Sequence, residues 1–256
     1  MNTTFYKKLG MIALLGAIIV PQFTFAAGLG DQKRAANLNK GNAVQFCANL
    51  STRADGWMTK IDAKTAKVDL NRAQQIAKKT QNRSDRDIKL DQHRDGWDNN
   101  RDTRFAKLEA KATTDIQKAA VAEFKTTVTA GITARRSAID AAVTTFRSGV
   151  DAVNAQNKSA IDTAISNFKN AYQTALTKAI ADCAAGTDPK IVKATFDASV
   201  KTAATAFHAE KDAIVKRSGV DALIAARKTS VNKAISDFKV VLQAAQQKLQ
   251  IAFPKK

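Results

Sequence analysis

Residues 121–183 read VAEFKTTVTAGITARRSAIDAAVTTFRSGVDAVNAQNKSAIDTAISNFKNAYQTALTKAIADC. Three columns repeat through this stretch every 11 residues. One holds Val121, Ile132, Val143, Asn154, Ile165 and Leu176. A second holds Phe124, Arg135, Phe146, Asn157, Phe168 and Ala179. The third holds Val128, Ile139, Val150, Ile161, Tyr172 and Cys183. Steps of 3, 4 and 4 make three turns of about 3.67 residues, close to the α-helical 3.6. The columns therefore form one apolar stripe along a very long helix. The register passes through Asn154-Ala155-Gln156-Asn157 without a slip, so the spacing favours an unbroken helix, with a hairpin turn there as the alternative.

Working outward, the helix has a clear stop. Gly186 sits just past the last stripe position, where a C′ glycine belongs. Asp188 and Pro189 then supply an N-cap and a first-turn proline for the next helix. So short a connection implies an antiparallel neighbour. That neighbour, over about 189–252, repeats part of the preceding helix at an offset of 70. Arg147–Lys169 and Arg217–Lys239 are identical at 13 of 23 positions, which points to segmental duplication.

Upstream, apolar positions Cys47, Leu50, Ala54, Trp57 and Ile61 step by 3 and 4 and predict a first helix over about 32–80. Residues 81–103 are crowded with Arg, Lys, Asp and Asn, and read as a charged, partly helical connector. The stripe-bearing helix then covers about 104–183. The expected fold is all-α: an elongated long-helix hairpin or coiled-coil-like bundle with 11- and 22-residue repeats. Alanine dominates the apolar residues and aromatics make up 6%. A narrow, Ala-rich stripe favours long bundles over globules.

The N-terminus reads as an export signal. Lys7 and Lys8 precede an apolar run from Leu9 to Val20, and Thr24-Phe25-Ala26 offers a small-residue cleavage site. A run of about 12 residues is too short to span a bilayer. The expected mature chain, 27–256, is a single elongated helical domain without a transmembrane segment, periplasmic or extracellular. Losing Lys7 and Lys8 lowers the net charge from +18 to +16.

Cys47 and Cys183 are the only cysteines, both on apolar stripes, and an exported chain with two cysteines pairs them. No C-x-x-C motif is present to make them redox-active. His93 and His208 stand far apart and suggest neither a zinc site nor a catalytic pair. Asp91–Asp102 faintly resembles a calcium loop, but His93, Asp98 and Asp102 occupy positions that demand other residues. No metal, cofactor or catalytic activity is expected.

Charge is the strongest functional signal. A cationic rod attracts polyanions by counterion release. Clusters at Arg135-Arg136, Lys216-Arg217 and Arg227-Lys228 are the candidate anion-binding residues. The expected function is an exported, non-catalytic interaction or scaffold protein. It would bind anionic polymers, anionic membrane surfaces or partner helices, without sequence-specific nucleic-acid readout, and self-associate through its apolar stripe. The rival readings are a periplasmic holdase-type chaperone and an envelope enzyme with an unrecognised site.

Overall fold

The computed structural model describes residues 43–216 and 219–254. The expected export segment 1–26, residues 32–42 of the expected first helix, and Arg217 lie outside the described residues. Four helices follow one another: α1 (Ala43–Glu109), α2 (Asp115–Ala184), α3 (Pro189–Lys216) and α4 (Val220–Ala252). No described helix is long and apolar enough to cross a membrane.

α1 and α2 form an antiparallel hairpin. At about 1.5 Å per residue, the 70 residues of α2 run roughly 105 Å. α3 and α4 then return along α2, end to end, as a third rod element. α3 packs on the C-terminal half of α2 and on the start of α1, and α4 packs on the N-terminal half of α2. α2 continues unbroken through Asn154–Asn157, so the hairpin alternative does not occur.

Three boundaries differ from the sequence expectation. The connector at 81–103 is uninterrupted α-helix within α1. The helix break falls instead at residues 110–114, inside the span expected for the second helix. Thr114 caps α2 there, its Oγ1 accepting from Gln117 N at 3.3 Å while Gln117 Oε1 accepts from Thr114 N at 3.3 Å. This reciprocal box satisfies two otherwise orphaned donors and fixes the helix start. The third difference is at Gly219, whose φ of 61° interrupts the helix expected over 189–252. Its duplicate, Gly149, lies inside continuous α2, where a Cβ would meet Leu223 Cδ2 at 2.7 Å. One motif thus serves twice: once to admit a neighbouring side chain, once to turn.

The expected stop of α2 is present. Gly186 has φ 76°, Gly186 N donates to Cys183 O, and Thr187 N donates to Asp182 O. Asp188 Oδ1 accepts from Lys190 N at 2.9 Å, capping α3 just before Pro189.

Two kinds of cement hold the rod. Near the α2–α3 turn the three helices share an apolar core. Phe46, Leu50 and Ala54 of α1 meet Tyr172, Leu176 and Ala179 of α2 and Val192 of α3. Ile61, Ile161, Ile165, Phe168 and Phe207 continue it. Trp57 stacks on Tyr172 at 4.1 Å and meets Phe168 edge-on at 5.4 Å. At the open end of the α1–α2 hairpin, Cys47 and Cys183 sulfurs lie 2.00 Å apart, at disulfide distance, with Cα atoms 5.8 Å apart.

Further along the rod, α1 and α2 are joined by charge. Arg72, Arg83 and Arg94 of α1 reach Asp162, Asp151 and Asp140 of α2 at 3.4, 2.7 and 2.6 Å. A second rail runs with opposite polarity. Asp87, Asp98 and Glu109 of α1 accept from Arg147, Arg136 and Lys125 of α2 at 2.7, 2.6 and 3.0 Å. On each helix, successive members repeat the step of the apolar columns, so antiparallel packing brings each pair into register in turn. The polar segment needs no apolar stripe to stay helical, because its partner presents the complementary charge at each third turn.

Candidate anion-binding surface

Of the six cations expected to bind anions, three are engaged inside the fold. Arg135 of α2 places its guanidinium 4.4 Å from the centre of the Phe238 ring of α4. Arg227 of α4 does the same, at 4.3 Å, over Phe146 of α2. The two contacts are reciprocal, because Arg135 and Phe146 are successive members of one α2 column and Arg227 and Phe238 share that spacing on α4. Each is a cation held against a ring face in the α2–α4 seam. Burial pushes the Arg135 pKa down, and repulsion from Arg136 and Arg94 adds to this. Arg136 is committed to Asp98 through two bonds of 2.6 and 2.7 Å. Lys228 is exposed. The Lys216 side chain and Arg217 fall outside the described residues. The described four therefore do not share one exposed face. Adjacency in sequence suggests a shared face, and on a helix it does not give one.

Asp98 shows how firmly the charge rails hold. The hydrogen bond from Arg136 keeps its carboxyl at about 2, against the opposing effect of burial and with help from Arg101. Asp87 is also lowered, chiefly by the bond from Arg147. At Asp151 burial opposes ionisation, but hydrogen bonds from Arg83 and Lys79 outweigh it and lower the pKa. A carboxylate whose folded pKa lies below its unfolded one stabilises the fold above the unfolded value, about 3.9. That contribution disappears as pH falls through the folded value. The melting temperature should thus hold from pH 7 to about 5 and fall between about pH 4 and 2. Asp98→Asn should flatten part of that fall in a thermal-unfolding series. An unchanged acid limb in the variant would remove Asp98 from the account.

The same pair supports a swap experiment. Arg136→Asp faces Asp98 with a like charge and should lower stability, and adding Asp98→Arg should recover part of the loss. A double-mutant cycle by chemical denaturation should give a coupling of roughly 1 kcal/mol, since both groups are partly solvated. A coupling of zero would mean that the rail sets register without stabilising.

Further cations line α1. Four triads step along it, Lys60-Lys64-Lys67, Asn71-Gln75-Lys78, Asn82-Arg86-Lys89 and His93-Trp97-Asn100, and Arg104 and Leu108 continue them. Spacings of 4, 3 and 4 keep all of them on one flank. Neither Asp nor Glu occupies any of these positions. Lys60, Lys67, Lys78 and Lys89 are exposed and make no ion pair among the described residues. Trp97, 48% exposed, stacks with His93 at 6.0 Å on the same flank. Clustering along the sequence misses this flank, although Lys67, Lys78 and Lys89 carry the same period as the apolar columns.

Among the described residues, no group of three His, Cys, Asp or Glu side chains stands close enough to hold a metal ion. The calcium-like stretch Asp91–Asp102 is helical throughout, and its Asp98 is spent on Arg101 and Arg136. Comparison with protein families, curated proteins and solved structures finds no match to this chain.

Proposed function

We propose that this protein is an exported, non-catalytic helical scaffold of the cell envelope or exterior that engages an anionic partner through its cationic surface. One observation carries the reading: pairing within the rod consumes the acids along the α1–α2 interface and leaves an acid-free, exposed cationic flank on α1. The Cys47–Cys183 pair and the signal-like N-terminus support an oxidising, exported location. A rod some 100 Å long presents that flank over a distance a compact fold of this size lacks.

The test is a titration of the mature protein with polyanions and with anionic vesicles at several salt concentrations. Log affinity should fall linearly with log salt, because each neutralised anion releases a condensed counterion. Absence of binding at low salt, or salt-insensitive binding, would contradict the reading and leave the charge as a solubilising surface.

A further inference from the structure

We propose that the acid-free flank of α1 holds a single extended polyanion chain, lying lengthwise and bound through its charged backbone. The proposal rests on the cationic-scaffold reading and adds the surface and the shape of the ligand. Lys67, Lys78 and Lys89 fall in one row of α1, with Asn100 at the next position and Lys60 on the row beside it. Adjacent positions in the row are three turns, about 16 Å, apart, and the lysines from Lys60 to Lys89 span about 44 Å.

The flank is long and narrow. Positions i, i+4 and i+7 lie within about 60° of the helix circumference, an arc of roughly 6 Å on a helix about 11 Å across. Such a strip matches a linear ligand. A lipid surface is a poorer partner for two reasons. Interfacial helices bury a broad apolar face, whereas Trp97 is the one large apolar residue exposed on this flank. Asp91, Asp95 and Asp102 lie two residues off the flank rows, about 200° around α1, but exposed Asp85, four residues before Lys89, borders the lysine row. A plane reaching past the strip would meet that like charge. Lysine ammonium groups act as mobile point charges rather than rigid forks, which suits a backbone whose anions need no fixed spacing.

The probe is polyphosphate of defined chain lengths, titrated into the mature protein, with vesicles of anionic phospholipid as a second arm. Affinity per chain should climb with length until the chain spans about 44 Å and then level off. The variant K60Q/K67Q/K78Q/K89Q should bind about tenfold or more weakly, and its log–log salt slope should be shallower by up to about 3. The control K190Q/K201Q/K233Q/K239Q removes the same charge from exposed lysines on α3 and α4. It should stay within about threefold of the parent. Circular dichroism of both variants guards against loss of folding.

Equal weakening by the two variants would overturn the flank assignment and leave a diffuse cationic scaffold standing. Tighter binding to the vesicles, lost in the α1 variant, would overturn the linear ligand in favour of a membrane. No polyphosphate binding by the parent at low salt, together with no vesicle binding, would overturn both this proposal and the function it rests on.

Discussion

Replacing Cys47 and Cys183 with serine is expected to lower the melting temperature by roughly 10–20 °C in the oxidised protein. The bond joins residues 136 apart in sequence and clamps the open end of the α1–α2 hairpin. In the chain-entropy account, closing a loop of that size removes about 5 kcal/mol of freedom from the unfolded chain. For a chain of this length, 1 kcal/mol moves the midpoint by about 2–4 °C. Reductant should reproduce the effect in the parent and do nothing to the variant. An equal midpoint for oxidised and reduced parent would show that the apolar core alone closes that end. Helix content just below the transition should change little, because the cost lies mostly in the unfolded state.

Phe168→Ala should be the most damaging single change in the core. Phe168 is 7% exposed and lies between Trp57 of α1 and Phe207 of α3, at 5.4 and 5.8 Å between ring centres. Truncation removes a ring that touches all three helices and leaves a cavity none of them can close alone, a loss of about 3–5 kcal/mol. Its duplicate, Phe238, makes a sharper comparison. That ring is half-buried and capped by Arg135, so Phe238→Ala should cost less, about 1–3 kcal/mol of packing and cation–π contact. Denaturant midpoints of the two variants decide the order. A greater loss at Phe238 would place the main core in the α2–α4 seam, contrary to the burial pattern.

The apolar half of this architecture is legible from residue order. The repeating columns of α2 and the stripe from Cys47 to Ile61 identify which faces pack, and Gly186, Asp188 and Pro189 mark the turn between α2 and α3. The polar half is not. Residues 81–103 lack an apolar period, the usual sign in a sequence of a packed helix. Their helix is specified by charge: Arg83 and Arg94 on one row, Asp87 and Asp98 on the next, each matched by an α2 partner. The box Thr114-Asp115-Ile116-Gln117 is a sequence signature for a helix start, yet it falls inside the helix expected from 104, ahead of the first column at Val121.

Two arginines of the candidate anion-binding clusters are packed in a seam for a related reason. Arg135 and Arg227 look like exposed cations because arginine is usually outside. Both lie in the Phe column of their helix, at positions that point into the seam, and an arginine there pairs with the ring opposite. Only the antiparallel register of α2 and α4 shows that each arginine finds a phenylalanine. The α1 flank needs the opposite step: knowing which acids and bases cancel one another across the hairpin before seeing which cations remain.

Small-angle X-ray scattering of the oxidised protein, expressed as residues 27–256, tests the central claim most directly, that charge rails keep α1 helical and laid along α2 for its whole length. A rod of about 105 Å has a radius of gyration near 30 Å, whereas a compact chain of this size would give about 17 Å. The account predicts the larger, rod-like value, with the narrow cross-section of a three-helix bundle. A radius close to the compact value, or a cross-section too wide for three parallel rods, would contradict it.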